Sequence, residues 1–219
     1  MFIRILIVDD HALLREGVKR ILSEQHDIEV AGEASNGAEA LAKVRAESWD
    51  AMVLDMSMPG RSGIELIKQI KSEKPKLPIL ILSMHKEDIY AVRTLKAGAS
   101  GYLCKDNAET QLAQAIRKVA GGGLFIPSAV AEKLAVEMLV GTTDALPHTL
   151  LSDREYQILL FIARGISVSE IADELNLSVK TVSTHKTRLM QKMNVANVAE
   201  LIHYAIRHDL VHGENGTLE

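Results

Sequence analysis

The chain has 219 residues and a formal net charge of -4, because 25 Lys and Arg stand against 29 Asp and Glu. A hydrophobic share of 47% with 25% charged residues is typical of a soluble globular protein and excludes a disordered or fibrous chain. The mild acidity provides no overall attraction for nucleic acid, so a DNA-binding function would have to depend on local positive charge.

The cysteine content and the N-terminus indicate the cellular compartment. A single cysteine, Cys104, excludes an intrachain disulfide and a thiolate metal cluster. No apolar run approaches the roughly 18 residues that a membrane span needs. The N-terminal segment has one basic residue, a short apolar stretch and then acids, which is the wrong order for a secretory signal. We therefore expect a cytoplasmic protein that does not associate with a membrane.

Short apolar runs alternate with amphipathic segments in the first half of the chain. This alternation is typical of βα units around a parallel sheet and predicts an α/β domain with five strands and five helices. The predicted strands are Ile3 to Val8, Glu29 to Ala34, Ala51 to Asp55, Ile79 to Ser83 and Gly101 to Leu103. The predicted helices are His11 to Ser23, Ala38 to Arg45, Ile64 to Ile70, Ile89 to Lys96 and Thr110 to Val119.

Three consecutive glycines, Gly121 to Gly123, make a helical backbone costly and end the last of these helices. The stretch that follows contains Pro127, Pro147 and a helix-compatible piece from Ala129 to Leu139. We predict that the α/β domain covers residues 1–121. A linker with room for a short helix is expected over residues 122–148.

The sequence after the linker contains four helical patterns and no strand-like alternation. Ser152 and Glu155 have the spacing of a capping box before an apolar series, and Gly165 ends that helix. The following helices are predicted at Val168 to Leu175, Val179 to Met193 and Val198 to His208. We expect a small all-helical domain over residues 149–211 and a flexible tail over residues 212–219.

Polar side chains follow four of the predicted strands. Asp9 and Asp10 follow the first strand, Asp55 ends the third, Ser83 ends the fourth and Lys105 follows the fifth. In an open α/β sheet these carboxyl ends meet at one edge, where ligands bind. Carboxylates bind Mg²⁺, and an aspartate can attack a phosphoryl group, whose added negative charge an ammonium and a hydroxyl stabilise. Together these residues predict a phosphoacceptor site.

Each of these residues, taken alone, also has a simpler interpretation. An aspartate before a helix is commonly its N-cap, so Asp9 or Asp10 could cap the helix that begins near His11. Lys105 could pair with any surface acid, and Tyr102 could pack at the edge of the core. The joint placement at four strand ends favours the phosphoacceptor interpretation, whereas His11 is interpreted as a helix-start residue.

Four segments resemble the receiver domains of two-component response regulators. They are Ile7 to His11 (IVDDH), Leu54 to Gly60 (LDMSMPG), Ile81 to Ser83 (ILS) and Lys96 to Lys105 (KAGASGYLCK). The resemblance covers the α/β domain and implies a flavodoxin-like, five-stranded parallel sheet. It also implies a partner, a sensor histidine kinase that donates the phosphate.

The resemblance assigns roles to individual residues. Asp55 would be the phosphoacceptor, and Mg²⁺ would be bound by Asp10, Asp55 and the backbone carbonyl of Ser57, with Asp9 contributing mainly through water. The residues that contact the phosphoryl oxygens would be Ser83 and Lys105, and Tyr102 would turn inward as Ser83 moves. Two positions depart from the pattern: Asp106 follows Lys105 where many receivers have proline, so a cis bond is not expected there, and Ser83 replaces the commoner threonine.

Positive charge in the helical domain is concentrated on one helix. Residues 149–219 hold 7 Lys and Arg against 9 Asp and Glu, yet Ser178 to Asn194 contains four cations and no acid. On a helical wheel Val182, Leu189 and Met193 share the buried face. The outward residues are Lys180, Ser183, Thr184, Thr187, Arg188 and Gln191. Such a charge run is commonly a solvated helix face. It also fits the second helix of a helix-turn-helix pattern, which lies in the major groove of DNA.

Residues 151 to 208 resemble the helix-turn-helix output domain of the NarL/FixJ regulators, which is shared with LuxR-type activators. The resembling segments are Leu151 to Glu155, Ala163 to Gly165, Glu170 to Ala172, Leu175 to Ser178, Thr181 to His185 and Gln191 to Met193. The resemblance and the outward face of this helix together predict contacts with double-stranded DNA by Lys180, Thr181, Ser183, Thr184, Lys186, Thr187, Arg188 and Lys192. From the helix face we expect Ser183, Thr184 and Thr187 nearest the bases, and many relatives carry Lys where Ser183 and Thr187 stand. It also makes the outer edge of the last helix a homodimer contact, so that two-fold symmetry matches inverted half-sites.

The two domains together predict a transcription regulator rather than an enzyme. Phosphate on Asp55 would shift a two-state receiver and thereby free or pair the DNA-binding domains. One alternative is a phosphohydrolase, which usually needs a second acid near the nucleophile, and neither Met56 nor Ser57 supplies one. The other is a phospho-regulated scaffold whose helical domain binds protein, which would lack a salt-sensitive DNA affinity.

Overall fold

The computed structural model describes residues 2–56, 58, 63–83, 88–128, 130–132, 135, 146–208, 210 and 211. The chain divides into a first unit, Met1–Leu139, and a second unit, Val140–Glu219. The expected helix from Ala129 to Leu139 lies mostly outside the described residues, and the expected tail over residues 212–219 lies wholly outside them.

The first unit is built on a parallel sheet of five strands. The strands are β1 Ile3–Val8, β2 Ile28–Ala34, β3 Ala51–Asp55, β4 Ile79–Ser83 and β5 Gly101–Cys104. The helices are α1 Ala12–Ser23, α2 Gly37–Ala46, α3 Gly63–Glu73, α4 Asp88–Lys96 and α5 Ala108–Ala120. The strand order is β2-β1-β3-β4-β5, with every neighbouring pair parallel. The predicted α/β class is confirmed, and the order reverses beside β1 and β3, where open α/β sheets bind ligands.

Burial on both faces explains why the central strands are continuous apolar runs. Every residue of β3 and of β4 is buried, as expected for parallel strands covered by helices on both sides. Leu112, Ile116 and Val119 of α5 are fully buried, and burial of each contributes about 2 kcal/mol. α3 extends to Glu73, past its predicted end at Ile70. The sequence did not indicate this last turn, because it is polar and lacks apolar periodicity.

The outer edge of β5 is covered by the chain that follows α5. The N–H of Phe125 donates to the carbonyl oxygen of Ser100 at 3.1 Å, and its own carbonyl oxygen accepts the Tyr102 N–H at 2.8 Å. Gly101 lies between these bonds, where an added Cβ would come within 2.9 Å of the Phe125 carbonyl oxygen and of Leu80 Cδ1. Phe125, in the predicted linker, therefore pairs with the start of β5 and satisfies two backbone groups at this edge of the sheet.

Gly101→Ala is expected to lower the unfolding free energy of the first unit by about 1–3 kcal/mol, because a backbone oxygen has to move to admit the methyl group. Urea unfolding followed by the fluorescence of Trp49, the single tryptophan, measures this change. Gly17→Ala is the control, since a Cβ there meets nothing within 4 Å in the middle of α1, and it is expected to raise stability by up to about 1 kcal/mol. An unchanged midpoint for Gly101→Ala would contradict this prediction, because it would mean that the Phe125 backbone moves away without lowering the unfolding free energy.

The second unit consists of helices with side-chain caps at their N-termini. They are α6 Asp153–Ala163, α7 Val168–Glu174, α8 Val179–Met193 and α9 Val198–Arg207, preceded by a 3₁₀ turn, Pro147–Leu150. Ser152 and Glu155 form the predicted capping box, and Ser167 and Glu170 form a second one. Side-chain oxygens of Ser178 and Asn197 cap the other two helices. No helix in the described part of the chain is long and apolar enough to cross a membrane.

In the core of the second unit, α6 packs against both α8 and α9, and α7 packs against α8. α6 contributes a continuous set of apolar side chains, and Val182, Leu189 and Leu201 are fully buried against it. His148 of the 3₁₀ turn is also buried, and its Nδ1 lies 2.8 Å from the Tyr204 hydroxyl. This contact ties the start of the domain to its last helix.

Candidate functional site

The carboxyl ends of the strands bring charged groups of the first unit together. Lys105, in the 3₁₀ turn that follows β5, lies between two carboxylates: its Nζ is 3.0 Å from Oδ2 of Asp9 and 3.0 Å from Oδ1 of Asp55. The Asp55 side chain is 1% exposed and that of Lys105 is 9% exposed. A lysine held between two buried carboxylates forms a strong local interaction, and it also lies where a phosphoryl group on Asp55 would need a cation.

A carboxylate cluster surrounds this lysine. One ligand atom from each of Asp9, Asp10, His11 and Asp55 lies within 4.8 Å of the others. Oδ1 of Asp10 is buried and receives no well-aligned hydrogen bond from the described residues, although His11 Nδ1 is 3.0 Å away. Closely spaced carboxylates with an oxygen left for another partner fit a hard divalent cation such as Mg²⁺, which takes one or two carboxylates and keeps several waters.

The N-cap interpretation of the two aspartates does not hold. His11 is the N-cap of α1, and its N–H donates to Oδ1 of Asp9 at 2.8 Å. Because Oδ2 of Asp9 accepts from Lys105, both oxygens of Asp9 are engaged at the end of β1. Asp10 remains directed to the cluster, with a quarter of its side chain exposed.

Two further predicted residues of this site are buried near the ends of neighbouring strands. Ser83, the last residue of β4, is fully buried, and Tyr102 of β5 is 3% exposed. The role of Tyr102 as a reporter of the state of Ser83 stays a prediction. Ser57, predicted as a carbonyl ligand of Mg²⁺, lies outside the described residues. The Lys105–Asp106 bond is trans, as expected for a non-proline residue.

Arg15 belongs to this site, although sequence reasoning missed it. Its Nη1 donates to the carbonyl oxygen of Asp9 at 2.8 Å, and its Nε donates to Glu33 Oε2 at 3.1 Å. In sequence Arg15 is one of several basic residues on an amphipathic helix, and nothing in that pattern distinguishes it. Only the fold brings α1 and β2 together around the end of β1.

The face of α8 predicted to meet DNA is exposed in the second unit. Two of the predicted contacts, Thr181 and Lys186, are half-buried. The exposed ones are Lys180, Ser183, Thr184, Thr187 and Arg188. The hydroxyls of Thr184 and Thr187 donate to the carbonyls of the residues four positions earlier, at 2.9 and 3.0 Å. Their oxygens can therefore accept hydrogen bonds from bases while their protons remain in the helix.

Lys192, predicted as a DNA contact, has a partner within the second unit. Its Nζ donates to Oε2 of Glu155 at 2.7 Å, where the Glu155 side chain is 4% exposed and that of Lys192 is 43% exposed. Burial alone would raise the pKa of the Glu155 carboxyl, but hydrogen bonds from Lys192 and Ser152 hold it below its usual value of 4.5. The pair anchors the end of α8 to the start of α6.

Two family models match the chain in succession. Residues 5–117 match the response regulator receiver domain, and residues 149–205 match the bacterial regulatory proteins of the luxR family. The first match ends within α5, and the second begins in the 3₁₀ turn and ends within α9.

Several relatives match nearly the whole length of the chain. The chain is 40% identical to the response regulator UvrY of Escherichia coli K12 over 212 residues, 97% of each chain. It is also 40% identical to the oxygen regulatory protein NreC of Staphylococcus carnosus over 214 residues, 95% of this chain and 99% of that one. A solved structure of RcsB from Salmonella enterica serovar Typhimurium, bound to promoter rprA in the presence of the phosphomimetic BeF3-, has 29% identity and a TM-score of 0.63 over 93% of this chain and 98% of that one. The chain therefore belongs to the two-component response regulators of the NarL/FixJ type, which are transcription regulators rather than enzymes and join a receiver domain to a LuxR-family DNA-binding domain.

Proposed function

We propose that this protein is a phosphorylation-dependent transcription regulator that accepts phosphate on Asp55 from a sensor histidine kinase. The observation that carries the proposal is the position of Lys105, 3.0 Å from both Asp9 and Asp55 inside a cluster of carboxylates at the strand ends. A lysine in that position neutralises the acceptor before the reaction and the product after it.

The transfer is an in-line displacement at phosphorus. A carboxylate oxygen of Asp55 attacks the phosphoryl group on the kinase histidine, the P–N bond breaks, and the histidine nitrogen leaves with its electron pair. The Lys105 ammonium and the Ser83 hydroxyl then hydrogen-bond the phosphoryl oxygens on Asp55. Lys105 must exchange part of its contact with the Asp55 carboxylate for the new phosphoryl group, which gives the site two distinct states.

Magnesium fits the same cluster. Receiver domains generally bind Mg²⁺ at an acidic pocket, and the buried Oδ1 of Asp10, which accepts no hydrogen bond from the described residues and lies close to Asp55, supports such a site here. Asp10 and Asp55 would bind the ion directly together with the carbonyl of Ser57, and Asp9, whose oxygens are already engaged, would act through water. When bound, the ion neutralises charge on the phosphoryl oxygens and orients them for attack.

The exposed face of α8 is the proposed DNA-reading surface. Ser183, Thr184 and Thr187 would meet base edges in the major groove, and the phosphate contacts would come from Lys180, Thr181, Lys186, Arg188 and Lys192. Hydroxyl groups accept or donate to several bases, so they discriminate less sharply than a bidentate arginine on guanine. Because Lys192 already pairs with Glu155, we expect it to contribute less to phosphate binding than Lys180 or Arg188.

A homodimer on inverted half-sites completes the proposal. Along α9, Leu201 and Ala205 are buried in the domain, while Ile206 is 57% exposed at the outer edge. An apolar residue at the edge of an otherwise packed helix supports a contact with a second copy, and two-fold symmetry then requires inverted half-sites. Phosphorylation would act by raising the fraction of paired DNA-binding domains.

The same proposal includes the domain layout and the location. The receiver would occupy residues 1–121, the linker residues 122–148, the DNA-binding domain residues 149–211 and a tail residues 212–219. Because both proposed partners, the kinase's phosphorylated histidine and chromosomal DNA, are reached from the cytoplasm, the protein would act there.

The proposal is tested by measuring DNA affinity with and without phosphate on the full chain. The protein is incubated with Mg²⁺ and a small acyl-phosphate donor, acyl phosphate is quantified by mass, and affinity for genomic fragments selected by binding is measured over a range of salt concentrations. Phosphorylation is expected to tighten binding by about 5–150-fold. Lys180→Ala or Arg188→Ala is expected to lower the salt slope by about one each.

Two results would contradict the proposal. Phosphate uptake without any change in DNA affinity would favour the scaffold function, and a DNA affinity that does not fall with salt would exclude recognition through phosphate contacts.

A further inference from the structure

Asp9 is held at every polar group that it offers. Its N–H donates to the Ala34 carbonyl at 3.2 Å, and its two carboxylate oxygens accept from His11 and Lys105. The remaining group is its carbonyl oxygen, which lies beyond the β1 ladder that ends at Val8. Arg15 donates to that carbonyl at 2.8 Å through Nη1.

This hydrogen bond acts on Asp10 through the peptide between them. The carbonyl of Asp9 and the N–H of Asp10 belong to one planar unit, so fixing the direction of the carbonyl fixes the plane from which Asp10 projects. Asp10 follows the end of β1 and precedes α1, where no sheet or helix bond sets its orientation. The guanidinium of Arg15 therefore supplies a constraint that secondary structure does not.

Arg15 is itself held in place. Its Nε donates to Glu33 Oε2 at 3.1 Å, and Lys19 donates to the other oxygen of Glu33 at 2.9 Å. The hydrogen bond from Lys19, and with it that from Arg15, holds the pKa of the Glu33 carboxyl below its usual value, so Glu33 is charged at neutral pH. With its side chain 17% exposed, Arg15 spans from α1 to β2 and to the end of β1 with two of its nitrogens engaged.

We propose that Arg15 is a positioning residue for the receiver site: by bonding the Asp9 carbonyl and being anchored on Glu33, it orients the Asp9–Asp10 peptide and so directs the Asp10 carboxylate toward the divalent cation. The inference rests on the proposed function, in which Asp10 binds Mg²⁺. The hydrogen bonds of Arg15 go to the Asp9 carbonyl and to Glu33 rather than to the acceptor Asp55, so we expect it to affect metal affinity rather than the chemical step.

Charge and geometry predict opposite results for Arg15→Met. If Arg15 acted only through its positive charge, removing it from beside an acidic cluster would tighten Mg²⁺ binding. If it acts by orientation, Mg²⁺ binding weakens, and loss of an outer-shell partner of a metal ligand typically costs about 10-fold or more in metal affinity. The sign of the change therefore separates the two roles.

The experiment uses the full-length protein and Mg²⁺ alone as the first probe. Mg²⁺ is titrated into isotope-labelled wild type, Arg15→Met, Arg15→Lys, Glu33→Gln and Arg20→Met, and the amide signals of Asp10 and His11 are followed by NMR. Arg15→Met is expected to raise the half-saturating Mg²⁺ concentration about 10-fold and to shift the Asp10 amide signal even without Mg²⁺. Arg15→Lys, which keeps a donor and the charge, is expected to recover part of the affinity, and Glu33→Gln to show a smaller change in the same direction. Arg20→Met removes the same charge from the exposed side of α1 and is expected to leave both measurements unchanged.

Phosphorylation kinetics provide the second measurement. With a small acyl-phosphate donor, Arg15→Met is expected to need about 10-fold more Mg²⁺ for half-maximal rate while its maximal rate stays within about twofold of wild type. Equal or tighter Mg²⁺ binding by folded Arg15→Met would overturn the inference, as would an unshifted Asp10 amide. If wild type binds Mg²⁺ but takes no phosphate, the proposed function fails while the titrations still decide the role of Arg15; if wild type binds no Mg²⁺, both fail.

Discussion

Asp55→Asn is expected to abolish phosphate uptake from a small acyl-phosphate donor, by at least about 10³-fold in rate. The amide that replaces the carboxylate has no nucleophilic oxygen anion, and it removes one of the two carboxylates that hold Lys105. The fold is expected to persist, because asparagine has nearly the same volume in this buried position and Lys105 keeps its bond to Asp9 at 3.0 Å. Intact-protein mass spectrometry after incubation with donor and Mg²⁺ measures the result.

Asp27→Asn is the matched control for this experiment. Asp27 undergoes the same chemical change in a half-exposed position, where its carboxylate pairs with Arg117 at 2.6 Å, and it is expected to leave phosphate uptake unchanged. Equal phosphorylation of Asp55→Asn and wild type would move the acceptor to Asp9 or Asp10, the other carboxylates of the cluster.

Lys192→Met is expected to lower the unfolding free energy of the second unit by about 2 kcal/mol at neutral pH, because it leaves the Glu155 carboxylate buried with fewer donors. The estimate is below the usual cost of breaking a buried pair, since the side chain of Lys192 is 43% exposed and part of the interaction is screened by water. Hydrogen exchange of α8 amides in the full chain measures the change. Lys180→Met, the same substitution on the exposed face of α8, is expected to change stability by less than about 0.5 kcal/mol while weakening DNA binding.

The effect of Lys192→Met depends on pH with a definite sign. In wild type the pKa of Glu155 is below its usual value of 4.5, so the pair contributes stability above that pH and the contribution is lost as pH falls through the pKa of the folded state. Without Lys192, only the hydrogen bonds with Ser152 oppose the effect of burial, so the pKa of Glu155 rises relative to wild type and the variant loses most stability at neutral pH. We expect the difference between variant and wild type to shrink below about pH 4.5; a difference that is constant with pH would mean that lost packing, not the ion pair, causes it.

The central strands of the first unit could be predicted from the sequence, because burial on both faces requires a continuous run of apolar residues. β1, β3 and β4 have the predicted bounds, since each is a largely apolar run with a polar residue at its end or directly after it. The ends of helices were harder to predict from the sequence. α3 continues to Glu73 and α5 begins at Ala108, because helical hydrogen bonding continues where apolar periodicity stops. The pairing of Phe125 with β5 had no local signal, since a lone residue bonding a strand edge has no periodicity.

The side-chain contacts likewise include some that the sequence predicts and others that it does not. The sequence predicted that Asp9, Asp10, Asp55 and Lys105 lie together because parallel strands end at one edge of the sheet, and the structure brings these four side chains together. Their functional roles, and that of Ser83 at the end of β4, stay predictions. The capping box of Ser152 and Glu155 was found because its two residues are three positions apart. Two contacts were not predicted: Glu155 with Lys192, 37 residues away, and Arg15 with Glu33, 18 residues away. Charged side chains on helices and strands carry no sequence pattern that identifies their partner.

The sequence by itself determined the two fold classes, the order of the domains and the chemistry gathered at the strand ends, because these depend on periodicity, caps and the topology of parallel sheets. Only the tertiary structure decided which charges meet: that Lys105 lies equally close to Asp9 and Asp55, that Arg15 holds the carbonyl before Asp10, and that one of the four cations of α8 is bound to Glu155. The reason is that differences of a few tenths of an ångström decide whether two side chains far apart in sequence form a hydrogen bond or an ion pair. Packing sets these distances, and composition does not. The net charge of -4 was therefore uninformative about DNA binding, whereas the contact with Glu155 distinguishes Lys192 from the other three cations of α8.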